Sequence, residues 1–264
     1  MNEFRPIRSV PLILTPEQER DKREMARRQE LRSNYLVPIY FMHTRDVPPQ
    51  AAQAALLGVQ DALNASGQNR QIVNFGSQAF GQGAYSSPEW YIEETLRKQG
   101  LKKDAGYGQQ ISASNIMNLF YQEPWQEKPH WEVFVVNRDL TDWEGNGWLN
   151  FVFGSTDTIF PASVQSITRL MAEIPAEDLR NATIRRLLRH EAGHVFGLPH
   201  SNRPNTEEKL GLHCKNVCTM RQGISIPEWQ KLSIEESKKG VHFCADCKKD
   251  LAQVHNRYKP LSAK

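Results

Sequence analysis

The first 213 residues contain no cysteine; all four cysteines lie between Cys214 and Cys247. A disulfide framework running through the chain is therefore excluded, and any cysteine chemistry belongs to the last quarter. No apolar run approaches the length of a membrane span. Val10-Pro11-Leu12-Ile13-Leu14 is too short for the core of a secretory signal and is followed by charges. The expectation is a cytoplasmic protein with reduced thiols. The chain also lacks a strong charge bias, with 33 basic against 30 acidic residues and a formal net charge of +3. No basic stripe interleaves with aromatic residues, which argues against nucleic acid or a membrane surface as partner. Hydrophobic residues make up 39% of the 264, enough for one large globular domain or two small ones.

What is present is concentrated in His190-Glu191-Ala192-Gly193-His194-Val195-Phe196-Gly197-Leu198-Pro199-His200. Residues four apart share one helix face, so His190 and His194 can reach one metal ion. Glu191 beside them can take a proton from a metal-bound water. Ile184, Leu187, Leu188, Ala192 and Val195 recur at helical spacing, and Pro175, Glu177 and Asp178 mark an acidic, proline-led helix start. Gly197 can end that helix in a left-handed turn that returns His200 as a third ligand. Three histidines with one open position describe a catalytic zinc site.

Cys214-x-x-x-Cys218 and Cys244-x-x-Cys247 form two paired-cysteine hooks. Four thiolates complete a tetrahedral zinc, so this second site reads as structural; a disulfide pair would require an oxidising compartment. Residues 201–243 offer few large apolar side chains, and a metal cross-link can fold a segment that burial cannot. His213 and His242 flank the hooks.

Residues 1–34 read as a charged extension, at most a surface helix. Strands are expected at 35–42, where Pro38 hints at an edge or a bulge, and at 71–75, 131–136, 149–154 and 162–170. Helices are expected at 50–65, 89–98 and 113–121 and before the histidine motif, with a Gly- and Ser-rich loop over 76–90. The order is α/β.

H-E-x-x-H-x-x-G-x-x-H followed by a methionine, here Met220, and the cysteine hooks resemble the archaemetzincins, a group of metzincin zinc metallopeptidases. The resemblance covers about residues 35–250 and includes Asn150-Phe151-Val152-Phe153-Gly154. It implies a twisted mixed sheet with helices, an upper half over 35–197 and a smaller zinc-stabilised lower half over 198–264. It also implies that Asn150 to Gly154 form an antiparallel edge strand above the cleft, and that Met220 floors the metal in a Met-turn. Two departures stand out. Ser201 to His213 separate His200 from Cys214, whereas the family's third ligand directly precedes its first cysteine, which makes His213 a rival ligand. The first hook has three intervening residues, not four. The resemblance implies hydrolysis of peptide bonds by a zinc-activated water with Glu191 as general base, and two zinc ions per chain. No tyrosine lies between Met220 and Cys247 to act as an auxiliary donor. The alternative is a zinc-stabilised interaction module whose peptidase-like site only binds.

Overall fold

Ile39–His43 (β1) and Trp131–Val136 (β4) carry apolar residues on both sides of the strand, as a strand buried on both faces requires. The computed structural model describes residues 16–78, 87–100, 110–120, 129–144, 147–157, 161–255 and 257–260. β1 lies between Ile72–Gly76 (β2) and β4, and Ala162–Ser166 (β8) follows β4, all four parallel. Gly154–Asp157 (β7) closes the sheet on the β8 side and is its antiparallel member. The order is β2-β1-β4-β8-β7.

The period of two is visible in what each residue touches. Phe41, Val133 and Val135 join one core, and Met42, Phe134 and Val136 the other. The first core is covered by Pro49–Ser66 (α2) and Glu177–Val195 (α6), the second by Pro88–Gln99 (α3) and Ala113–Phe120 (α4). α2 and α6 pack closely because Gly58 has no side chain; a Cβ there would lie 2.3 Å from the Arg185 carbonyl oxygen. Asp61 of α2 then bonds Arg185 and Arg189 of α6, each at 2.7 Å. A smaller sheet holds Ile111–Ser112 (β3), Leu140–Glu144 (β5) and Gly147–Val152 (β6) in the order β3-β5-β6.

Several expectations are corrected. β1 is an interior strand, not an edge, and Pro38 stands just before it, where no ladder donor is needed; the irregularity in its pairing with β2 comes later, between Phe41 and Met42. The run 149–154 is two strands in two sheets. Asn150, Phe151 and Val152 belong to β6, Phe153 is a corner, and Gly154 begins the edge strand β7. The run 162–170 stops being a strand at Ser166 and becomes the short helix Thr168–Glu173 (α5). Of the N-terminal extension, Pro16–Asn34 is a helix (α1), mostly exposed but anchored at its end by the Trp131 indole donating to the Arg32 carbonyl at 3.0 Å. Residues 1–15, residues 79–86 of the Gly- and Ser-rich loop, and Tyr121 of the expected fourth helix lie outside the described residues.

After α6 come the strand pair Thr206–Glu208 (β9) and Leu212–Cys214 (β10), then Ile226–Lys239 (α7) and Ala245–His255 (α8). This C-terminal part has a better core than its composition suggests. Met220, Trp229, Phe243 and Leu251 are buried in the same cluster as the sheet face under α2 and α6. With α1 to α8 the described residues form a mixed α/β fold with a four-cysteine cluster near the C-terminus.

Candidate metal centre and its cleft

α6 presents His190 and His194 one turn apart, and the strand β10 brings in His213. The three imidazoles converge. The His194 Nε2 lies 3.1 Å from the Nε2 of His190 and 3.1 Å from that of His213. Each Nδ1 faces a backbone carbonyl: Thr219 at 2.7 Å, Leu198 at 2.8 Å and Gly211 at 2.7 Å, for His190, His194 and His213 in turn. A carbonyl only accepts, so each Nδ1 carries the proton and each Nε2 keeps its lone pair. Three lone pairs aimed at one another repel unless a cation lies between them. A tetrahedral ion with metal–nitrogen bonds of about 2.0 Å sets its ligand atoms about 3.3 Å apart, close to the observed spacing. Burial holds His190 well below the usual imidazole range and His194 down to about 3, with His213 also lowered by burial. All three are neutral near pH 7, as ligation requires.

His200 is not in this group, which corrects its assignment as third ligand. The turn after Gly197 (φ 83°) is used otherwise: the Leu198 amide bonds the Gly193 carbonyl at 3.0 Å, and the Leu198 carbonyl orients His194. The chain then leaves the metal. The exposed His200 donates its backbone N–H to Asp250 at 3.1 Å, on α8. Adjacency to Cys214 does not keep His213 away, because successive strand residues point to opposite faces. β10 thus sends His213 to the histidines and Cys214 to the cysteines.

Cys214, Cys218, Cys244 and Cys247 form a second cluster of free thiols able to hold a metal. The Sγ atoms of Cys214 and Cys244 are 3.8 Å apart and those of Cys218 and Cys247 3.7 Å. A tetrahedral ion with metal–sulfur bonds of about 2.3 Å gives about 3.8 Å. The Asn216 amide donates to the Cys244 sulfur at 3.3 Å and the Arg203 guanidinium to that of Cys247 at 3.4 Å, favouring thiolates. Both clusters are compatible with zinc.

Beyond Met220, which the resemblance singles out, three features of the site carry no signal in the motif. Met220 is wholly buried under α6, and Gly193 admits it: a Cβ there would lie 2.4 Å from the Met220 sulfur. Thr156 of β7 donates to the Glu191 carboxylate at 2.7 Å, while burial pushes that carboxyl up to about 7. Arg186 donates to the carbonyls of Cys218, Thr219 and Arg221. Glu236 of α7 accepts from Arg186, Arg189, Thr219 and His242. These last two residues fix the segment whose Thr219 carbonyl orients His190. A spacing rule reads chain distance, and these partners are set by contacts between α6 and segments distant from it in the chain.

The histidines open onto a cleft of about 400 Å³ bordered by Phe153 to Thr156, Glu191, residues 210–213, Gln222 to Ile224 and Trp229. The Ser166 amide bonds the Phe153 carbonyl at 2.7 Å. Antiparallel alternation then leaves the backbone groups of Gly154 and Thr156 on the open edge of β7. No protein-family model, curated protein or solved structure matches the chain.

Proposed function

We propose that the protein is a zinc-dependent peptidase of the archaemetzincin type, with His190, His194 and His213 as the catalytic metal ligands and Glu191 as general base. The observation that carries this reading is the meeting of three neutral Nε2 atoms with a half-buried carboxylate beside the edge of a sheet. A structural metal needs no base beside it, and Glu191 is not needed to complete any ligand set. When bound, zinc supplies Lewis acidity toward water and the scissile carbonyl.

The remaining roles belong to the chain's own groups. The open backbone edge of β7 pairs with an extended peptide and places it across the histidines. Glu191 holds a proton between the attacking water and the leaving amine, and Thr156 fixes the rotamer of its carboxylate. Met220 fills the space under the histidines and takes no chemical part. The four cysteines hold a second zinc that fixes the segment after β10.

Glu191→Ala separates this reading from a module that only binds. The variant should keep its metal content and lose at least about 100-fold in peptide hydrolysis. Metal content is read by elemental analysis and turnover by mass spectrometry of a peptide library. Wild-type turnover in the variant would remove Glu191 as the base, and no turnover in the metal-loaded wild type would leave the binding-only reading standing.

A further inference from the structure

The segment between His200 and His213 ends in a turn that its sequence does not favour. The tip is Lys209-Leu210-Gly211, closed by the Lys209 amide on the Gly211 carbonyl at 2.9 Å. Leu210 has φ 53°, and it alone among the described non-glycine residues is left-handed. Bulky side chains resist that region; Gly, Asn or Asp would fit it without penalty. A leucine held there against local preference calls for a reason in what its side chain meets.

That side chain is 50% exposed and borders the histidine cleft. Ile224, four residues beyond Met220 and 49% exposed, borders the same cleft. Both are large apolar groups facing water at the one place where an incoming chain would cover them. The charges at the cleft have one sign. Its ionisable side chains other than histidine are Glu191 and Asp142, and neither Lys nor Arg borders it among the described residues. An acidic side chain entering there would find neither a Lys nor an Arg among the lining residues to pair with.

We infer that Leu210 and Ile224 determine specificity: they grip a bulky apolar side chain beside the bond that is cut, and peptides with Leu, Ile, Met or Phe at that position are the substrate class. This inference rests on the peptidase reading and adds to it. It gives the hairpin of β9 and β10 two jobs, carrying the third histidine on its return strand and a substrate contact at its tip.

Leu210→Gly tests it without threatening the fold, because glycine accepts the left-handed turn and the variant should melt no lower than wild type. With peptides that differ only in Leu, Ala or Glu beside the cut, wild type should prefer Leu. In Leu210→Gly the Leu-over-Ala ratio of kcat/KM should fall about 10-fold, mostly through KM. Ile224→Ser should lower the same ratio. An unchanged ratio in both variants overturns the inference and leaves the peptidase reading intact. A binding arm separates the two claims: a fluorescein-labelled Leu peptide titrated by anisotropy against zinc-loaded Glu191→Gln, with and without Leu210→Gly. If no peptide is cut by wild type but this binding weakens about 10-fold without Leu210, the hairpin contact stands and the peptidase reading falls.

Discussion

At the scale of single residues, the site separates groups able to hold a metal from groups that hold those groups. His213→Ala removes one of three converging nitrogens and should lose one equivalent of zinc together with activity. His200→Ala should keep both, since the His200 ring stands outside the cluster and its link to Asp250 is through the backbone amide. Elemental analysis of the two variants decides between them; zinc loss in His200→Ala with retention in His213→Ala would reverse the assignment. Thr156 offers a subtler test. Its hydroxyl stabilises the ionised form of Glu191 against the upward push of burial. A base works when ionised, so activity falls as pH drops through its pKa. Thr156→Val removes the stabilising donor and should move the acid limb of the kcat/KM profile to higher pH. A limb that stays in place would dissociate Thr156 from the base.

At the scale of elements, the sequence was legible where a strand or helix is simple and local. The expected α2, α3, β4 and α6 lie where the apolar period and composition placed them, and the structure adds Gly67 and Gly100 as left-handed caps that end α2 and α3. The run 149–154 misled because its alternation continues through a corner at Phe153, where the chain changes sheets; periodicity records which face a residue takes, not which sheet it takes it in. The third ligand misled for a related reason. Adjacency to Cys214 makes His213 a rival, but motif spacing favours the nearer His200; the pairing of β9 with β10 is what returns His213 to the other two. Unreadable too was the network through Glu236. It is buried between Arg186 and Arg189, with α6 supplying both cations and α7 the anion. Burial pushes the Glu236 carboxyl up, but its bonds to His242, the two arginines and Thr219 outweigh that and hold it below its ordinary 4.5. Its contribution is therefore present above that value and is lost as pH falls through the lower folded one. Glu236→Gln leaves two buried guanidinium groups short of an anion and should cost about 3–5 kcal/mol in denaturant unfolding at neutral pH. The gap from wild type should narrow in acid; a gap independent of pH would mean that the charge is not what matters there.

At the scale of the whole molecule, two metal clusters share one short stretch of chain. His213 and Cys214 are neighbours on β10, and the Cys214 amide bonds the Met220 carbonyl at 2.9 Å. Thr219, whose carbonyl orients His190, sits between Cys218 and Met220. The segment that carries the cysteines therefore also carries His213 and the carbonyl that orients His190. Cys244→Ser should release its own zinc and also weaken zinc at the histidines, although it touches none of them. Titration with a competing chelator reads both losses; full retention of the histidine-bound zinc would show the clusters to be independent. The shared strand also has a consequence for synthesis. A ribosome delivers His190 and His194 first, then His213, and the second cysteine hook about thirty residues later. On the nascent chain the two helix histidines are present while the third has no fixed place to return to. If the two clusters are coupled as that titration tests, the histidine cluster is completed only when Cys244 and Cys247 have emerged and closed on Cys214 and Cys218. Such an order of emergence would leave the three histidines unassembled until the surrounding fold has been made.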